Sequence, residues 1–190
     1  MATFTAEVGF SQVQAYLEAY NAWPKYDSVQ PESLDAVRIS DAGYANKLVA
    51  RMSPRCLAPV DGFDISSISD EWELFNLSDR EFEHACRETT PLVSRLISHK
   101  GLAIAVTTKV LHRHRPGFIP IVDSVVAGQL GVGYRPKDAA TLSTAMRKLR
   151  TLGAPHADAL ATIKRRLESG GITLSRLRIL DILVWAKVLR

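Results

Sequence analysis

The chain has 190 residues, 46% of them hydrophobic and 23% charged, with a formal net charge of +4. That suits one packed domain, or two lobes sharing one chain, and no apolar run approaches the ~20 residues needed to span a bilayer. The charge is unevenly divided: residues 1–94 hold 7 Lys/Arg against 15 Asp/Glu, and residues 95–190 hold 17 against 5. A basic half of this kind is the expected footprint of a polyanion such as nucleic acid, the alternative being ordinary solvation of helix faces.

In chain order, Phe10, Val13, Tyr16, Leu17 and Tyr20 recur on one face and predict a helix from Val8 to Trp23, closed by Pro24. Residues 24–33 are polar and predict a loop holding Tyr26. Ser40-Asp41 is a cap signal for a helix from Ala42 to Met52, which Pro54 ends. Residues 55–69 are irregular, and Asp70 to Asn76 suggests a brief helix. Ser78-Asp79-Arg80-Glu81 is a capping box opening a helix to about Cys86. Thr90-Pro91 is expected to start another, Leu92 to Ser98, with proline at the first helical position.

The next stretch, His99 to Gly131, carries most of the information. A turn at His99-Lys100-Gly101 precedes a helix that Arg115-Pro116 ends, because proline crowds the residue before it. Pro120 keeps the following connection extended, and Asp123-Ser124 caps a helix from Val125 to Leu130. Beyond it, Asp138 caps a helix to Leu152, with Gly153 as its stop, and Pro155 opens another to Glu168. Ser175 caps a last helix, Arg176 to Leu189. Nothing alternates at period two for long enough to require a strand, so the fold class is all-α with about nine helices.

Gly101-Leu102-Ala103, the helix behind it, and Pro120-Ile121-Val122-Asp123 together resemble the core of the helix-hairpin-helix DNA glycosylase superfamily. There a hairpin of form G-h-G leads through a helix and a Pro-containing loop to a catalytic Asp at the mouth of a helix. Ala103 stands where that pattern has its second glycine. The chain is also similar to a family of small bacterial proteins without assigned activity. Arg115-Pro116, Ile119-Pro120, Asp123-Ser124-Val125-Val126 and the later Ser175-Arg176-Leu177-Arg178, Asp181 and Trp185 carry that likeness.

The superfamily resemblance implies a two-lobed helical bundle. Residues ~34–120 would form one lobe, residues ~1–33 and ~121–190 the other, with Asp123 at the seam. It implies that Asp123 stabilises an oxocarbenium-like sugar and orients water. Bifunctional members carry a lysine where this chain has Ala105, so the implied enzyme is a monofunctional DNA glycosylase without lyase activity. Lys100, Gly101, Ala103, Thr107, Thr108, Lys109, Arg113 and Arg115 are candidate contacts to double-stranded DNA. Trp23, Tyr26, Tyr44 and Trp72 are candidates for a base pocket, core packing being the alternative for each.

In related proteins the hairpin carbonyls hold a monovalent cation; no other cofactor is implied. His112 and His114 point about 200° apart on a helix and make a poor metal chelate. Arg178 and Asp181, at i,i+3, predict an ion pair with a structural role. Cys56 and Cys86 are too few for a four-thiolate iron–sulfur cluster. With no basic-then-apolar segment in MATFTAEVGF, they point to reduced thiols and a cytoplasmic protein. The expected substrate is a damaged base, in repair, or a modified base of phage DNA, in defence; no membrane and no obligate protein partner are expected. The alternative is a non-catalytic DNA-binding protein built on the same hairpin.

Overall fold

A computed structural model describes residues 4–20 and 23–187, without the side chains of Trp23 and Pro24. Among those residues the chain is mostly helical: α1 (Ala6–Tyr20), α2 (Asp41–Ala45), α3 (Asp79–Ser98), α4 (Ile104–His114), α5 (Ser124–Gln129), α6 (Ala140–Gly153), α7 (Ala157–Ser169) and α8 (Arg176–Trp185). A two-stranded ribbon interrupts them. β1 (Ala36–Val37) pairs antiparallel with β2 (Phe63–Asp64), placing Val37 opposite Phe63. No strand is expected from the sequence here, because two residues leave no alternation to detect.

Local capping chemistry starts α3, α5 and α8 where the sequence places it. Ser78 accepts from the Glu81 amide at 3.3 Å while the Glu81 carboxylate accepts from the Ser78 amide at 2.8 Å, a complete capping box. Ser175 accepts from the Arg178 amide at 3.0 Å and donates to the Pro116 carbonyl at 2.6 Å, so the start of α8 is tied to the end of α4. Gly101 adopts φ +86° in the turn between α3 and α4.

Several expectations need correction. Helix α3 runs unbroken through Pro91 instead of dividing at Thr90. Its buried face, from Phe82 through Cys86 and Val93 to Ile97, continues across the proline, and packing outweighs the one lost amide. Helix α2 stops at Ala45; a 3-10 turn, Asn46–Leu48, follows it, and Val49 then enters the left-handed region at φ 58°. Ser40 makes no side-chain cap there. Residues 70–76 form turns, and residues 23–27 a π-helical turn where a loop is predicted. Helix α8 ends at Trp185; Val188 and Leu189, the end of the predicted helix, lie outside the described residues.

Helices α1, α7 and α8 pack on one another, α5 lies on α8, α2 and α3 lie against α4, and α6 bridges α3 to α8. One apolar cluster runs through all of them. Every residue of α8 from Leu177 to Val184 is buried, as is every residue of α4 from Thr107 to His114. A helix buried all round must find internal partners for its polar side chains. Those partners shape the site.

Candidate active site

Helix α4 holds the segment that ends in Asp123. The Thr108 hydroxyl donates to the Ile104 carbonyl at 2.8 Å and accepts from the Val122 amide at 3.1 Å. Nδ1 of His112 donates to the Ile119 carbonyl at 2.6 Å. Burial pushes the His112 imidazole down to about 3, so the ring is neutral and the carbonyl fixes its tautomer. Asp123 emerges from this track as the N-cap of α5. Its Oδ1 accepts from the Val125 and Val126 amides, each at 3.0 Å.

Asp123 is partly exposed and stands on the wall of a cavity of about 490 Å³. The walls come from distant parts of the chain: Tyr16 and Tyr20 of α1, Leu48, Val49 and Arg51 after α2, Lys109 of α4, and Asp181 and Trp185 of α8. Three aromatic rings form one side. The Tyr16 and Tyr20 centroids are 4.9 Å apart, and Trp185 meets them edge-on at 5.5 and 5.1 Å.

Backbone strain gathers at the same place. Val49 and Arg51, both on the cavity wall, have φ of 58° and 52°, a region a β-branched valine rarely enters. The Asn46 side chain clamps this loop, donating to the Met52 carbonyl at 2.6 Å and accepting its amide at 2.7 Å. Lys109 Nζ donates to the Leu48 carbonyl at 2.8 Å. Burial lowers the Lys109 pKa, against the opposing pull of Asp123 and Asp181.

Beneath the cavity lies a buried charge cluster. Arg178 donates to Asp181 at 2.8 Å and to Asp27 at 2.9 Å, and all three side chains are almost fully buried. The predicted Arg178–Asp181 pair is therefore present, with Asp27 as a third member drawn from the π-helical turn. Burial raises the Asp181 carboxyl to about 7, although Arg178 beside it pulls the other way. Asp181 Oδ1 is buried without a hydrogen-bond partner.

The predicted DNA contacts divide sharply. Lys100 and Gly101 are exposed on the turn and Ala103 is half-buried. Thr107, Thr108, Lys109, Arg113 and Arg115 are interior and do not form a phosphate-binding face. Arg113 binds Asp41 at 2.5 Å and His114 binds the same carboxylate at 3.0 Å. Arg115 holds Asp35 at 2.9 Å and the Leu34 carbonyl at 2.7 Å. These side chains anchor residues 29–41 to the end of α4. The carbonyls of Ile97, His99 and Leu102 all accept from Lys137 Nζ, at 2.5, 2.9 and 2.7 Å. The oxygens around the turn thus surround one positive charge, that of Lys137.

The proposed base-pocket aromatics lie elsewhere. The Tyr26 hydroxyl is buried and donates to the Lys109 carbonyl at 2.5 Å, Tyr44 lies under the Arg113 guanidinium, and Trp72 packs on Phe118. Tyr26 and Trp72 line a separate cavity between the π-helical turn and the end of α4, and the Trp23 side chain lies outside the described residues. The rings beside Asp123 are Tyr16, Tyr20 and Trp185, which the sequence offered only as a helix face and a terminal motif.

Among the described residues, no helix is long and apolar enough to cross a membrane, and no three His, Cys, Asp or Glu side chains are grouped to hold a metal ion. No curated protein and no solved structure matches this chain. A family described as a family of unknown function (DUF6308) matches residues 64–188, a span that includes Lys109, Asp123, Arg178, Asp181 and Trp185. That match covers more than half of the sequence, and the chain belongs to this family.

Proposed function

We propose that the protein is a monofunctional DNA glycosylase that hydrolyses the N-glycosidic bond of a damaged or modified base. The observation that carries this reading is the Asp123 carboxylate, held by two backbone amides at the edge of a cavity walled on one side by three aromatic rings. Breaking a nucleoside's C–N bond builds positive charge on the sugar, and a fixed carboxylate stabilises that charge and orients water. Aromatic faces accept an extruded base by stacking, worth about 1–3 kcal/mol per base. Ala105 offers no amine at the position where lyase members carry one, so water is the nucleophile.

The glycosylase-type fold, with residues 34–120 as one lobe and the rest as the other, is part of the same proposal, as are double-stranded DNA as partner and the cytoplasm as location. Lys100 and Gly101 on the exposed turn are the contacts to the backbone that this reading retains. Repair and defence against phage DNA differ only in which base fits the cavity.

The test is mass spectrometry of bases released from host DNA and from phage DNA carrying modified bases. Asn caps a helix as well as Asp does, so Asp123→Asn is expected to keep its stability within about 0.5 kcal/mol while losing base release. Release by the wild type and by Asp123→Asn at equal rates would remove Asp123 from the chemistry. Salt-sensitive duplex binding with no release from any DNA would favour the non-catalytic alternative.

A further inference from the structure

Asp181 is the second carboxyl on this cavity, and its placement has no purely structural explanation. One oxygen, Oδ2, is bound by Arg178 at 2.8 Å. The other, Oδ1, is buried and has no partner, in a side chain only 2% exposed. Leaving such an oxygen unpaired is costly, and because Asp181 lines the cavity, a molecule bound there that reaches Oδ1 supplies the missing partner.

We propose that Asp181 is the general acid of the cavity: it holds a proton on Oδ1, donates it to the heterocycle stacked against Tyr16, Tyr20 and Trp185, and so makes the base a neutral leaving group. This rests on the hydrolase reading above. As the C–N bond breaks, its electron pair goes to the base and the Asp181 proton goes to a ring nitrogen. Water bonds to the anomeric carbon and gives its proton to Asp123. Exchange of one proton with solvent then returns both carboxyls to their starting forms. Two carboxyls kept in different protonation states by different surroundings are what this division of labour needs.

The surroundings separate them. Asp123 is partly exposed, and its Oδ1 accepts from two backbone amides. Asp181 is in the interior, and its one cation, Arg178, is shared with Asp27. The other charged and titratable groups on the cavity wall, besides Arg178, are Tyr16 and Tyr20 of α1, Arg51 after α2, Lys109 of α4 and Asp123 at the start of α5; α6 and α7 contribute nothing to the wall. Lys109 is engaged by the Leu48 carbonyl, and the Asp123 charge disfavours ionisation of Asp181.

The experiment compares wild type with Asp181→Asn on duplexes carrying hypoxanthine or 7-methylguanine. Hypoxanthine needs a proton to leave, whereas 7-methylguanine is already cationic and leaves without one. The expected result is a loss of about 100-fold or more on hypoxanthine, with 7-methylguanine retained within about threefold. Wild-type activity on hypoxanthine falls as pH rises above 7, and the variant shows no such limb. Equal losses on both substrates, or none on either, would overturn the assignment.

If the wild type releases neither base, binding of free adenine decides the Asp181 assignment, and the hydrolase reading itself fails only if no base is released from host or phage DNA either. A wild-type affinity that drops about tenfold between pH 5.5 and 8.5, with Asp181→Asn unchanged, supports a proton held for the ligand. No pH dependence in either protein refutes it. Should Asp181→Asn not fold, carboxyl-carbon NMR on the wild type replaces it. A carboxyl that titrates near neutrality and moves on adding adenine supports the proposal, and one ionising in the ordinary carboxylate range overturns it.

Discussion

At the scale of single residues, the buried charges matter most. The Asp181 carboxyl, raised to about 7, keeps its proton in the folded chain over an interval in which an unfolded chain, with its ordinary value of 3.8, has released it. The folded state therefore binds more protons between pH 4 and 7, and stability falls as pH rises through that window, by at most ~1.4 kcal/mol per pH unit. Asp181→Asn is permanently neutral and keeps an acceptor for Arg178. Urea unfolding at a series of pH values should show wild type losing stability relative to this variant from pH 4 to 7, and no further above it. A relative gain would mean that the ion pair with Arg178 outweighs burial. Asp123 was legible in the sequence because capping is local: one Asp, the amides two and three residues on, and a proline before it. The role proposed for Asp181 was not, since Arg178 three residues away accounted for it as an ion pair, and the cavity that Asp181 lines depends on α1 and α5.

At the scale of elements, the turn between α3 and α4 is the most tightly specified. A Cβ on Gly101 would lie 2.7 Å from Cys56 Sγ, and φ +86° disfavours any side chain there. Gly101→Ala is expected to cost about 1–3 kcal/mol in chemical denaturation. Adding Cys56→Ser, with the smaller oxygen, should recover only the steric part, because the backbone strain remains. The turn was readable from Gly101, but Lys137 was not: 35 residues separate it from the Leu102 carbonyl it binds. Helix α3 errs in the other direction. Pro91 is a strong local stop signal, and only the continuous buried face on both sides of it explains why the helix continues. The aromatic wall has the same origin, because Tyr16 and Trp185 lie near opposite ends of the chain and meet through the packing of α1 on α8.

At the scale of the whole molecule, the charge asymmetry of the sequence becomes an internal match. Arg113, Arg115, Arg147, Arg150, Arg166, Arg176 and Arg178 of the basic half pair with Asp41, Asp35, Glu83, Asp79, Glu7, Glu73 and Asp27 of the acidic half. Much of the positive charge that pointed to a polyanion is thus used in holding the chain to itself. The exposed cations near the turn, such as Arg95 and Lys100, leave a small footprint. Duplex binding should accordingly depend weakly on salt, with a log–log slope of about −2 to −4 by fluorescence anisotropy. A slope near −8 would require a basic face that these pairings do not provide.

The same division sets an order of events on the ribosome. The acidic segment emerges first, carrying carboxylates whose partners have not yet been translated. Helix α8, buried from Leu177 to Val184, emerges after the other helices described, and with it Arg178, which joins Asp27 across 151 positions. Until then the acidic half carries unpaired like charges that oppose its collapse, and the Asp27–Arg178 contact closes only once α8 has left the ribosome.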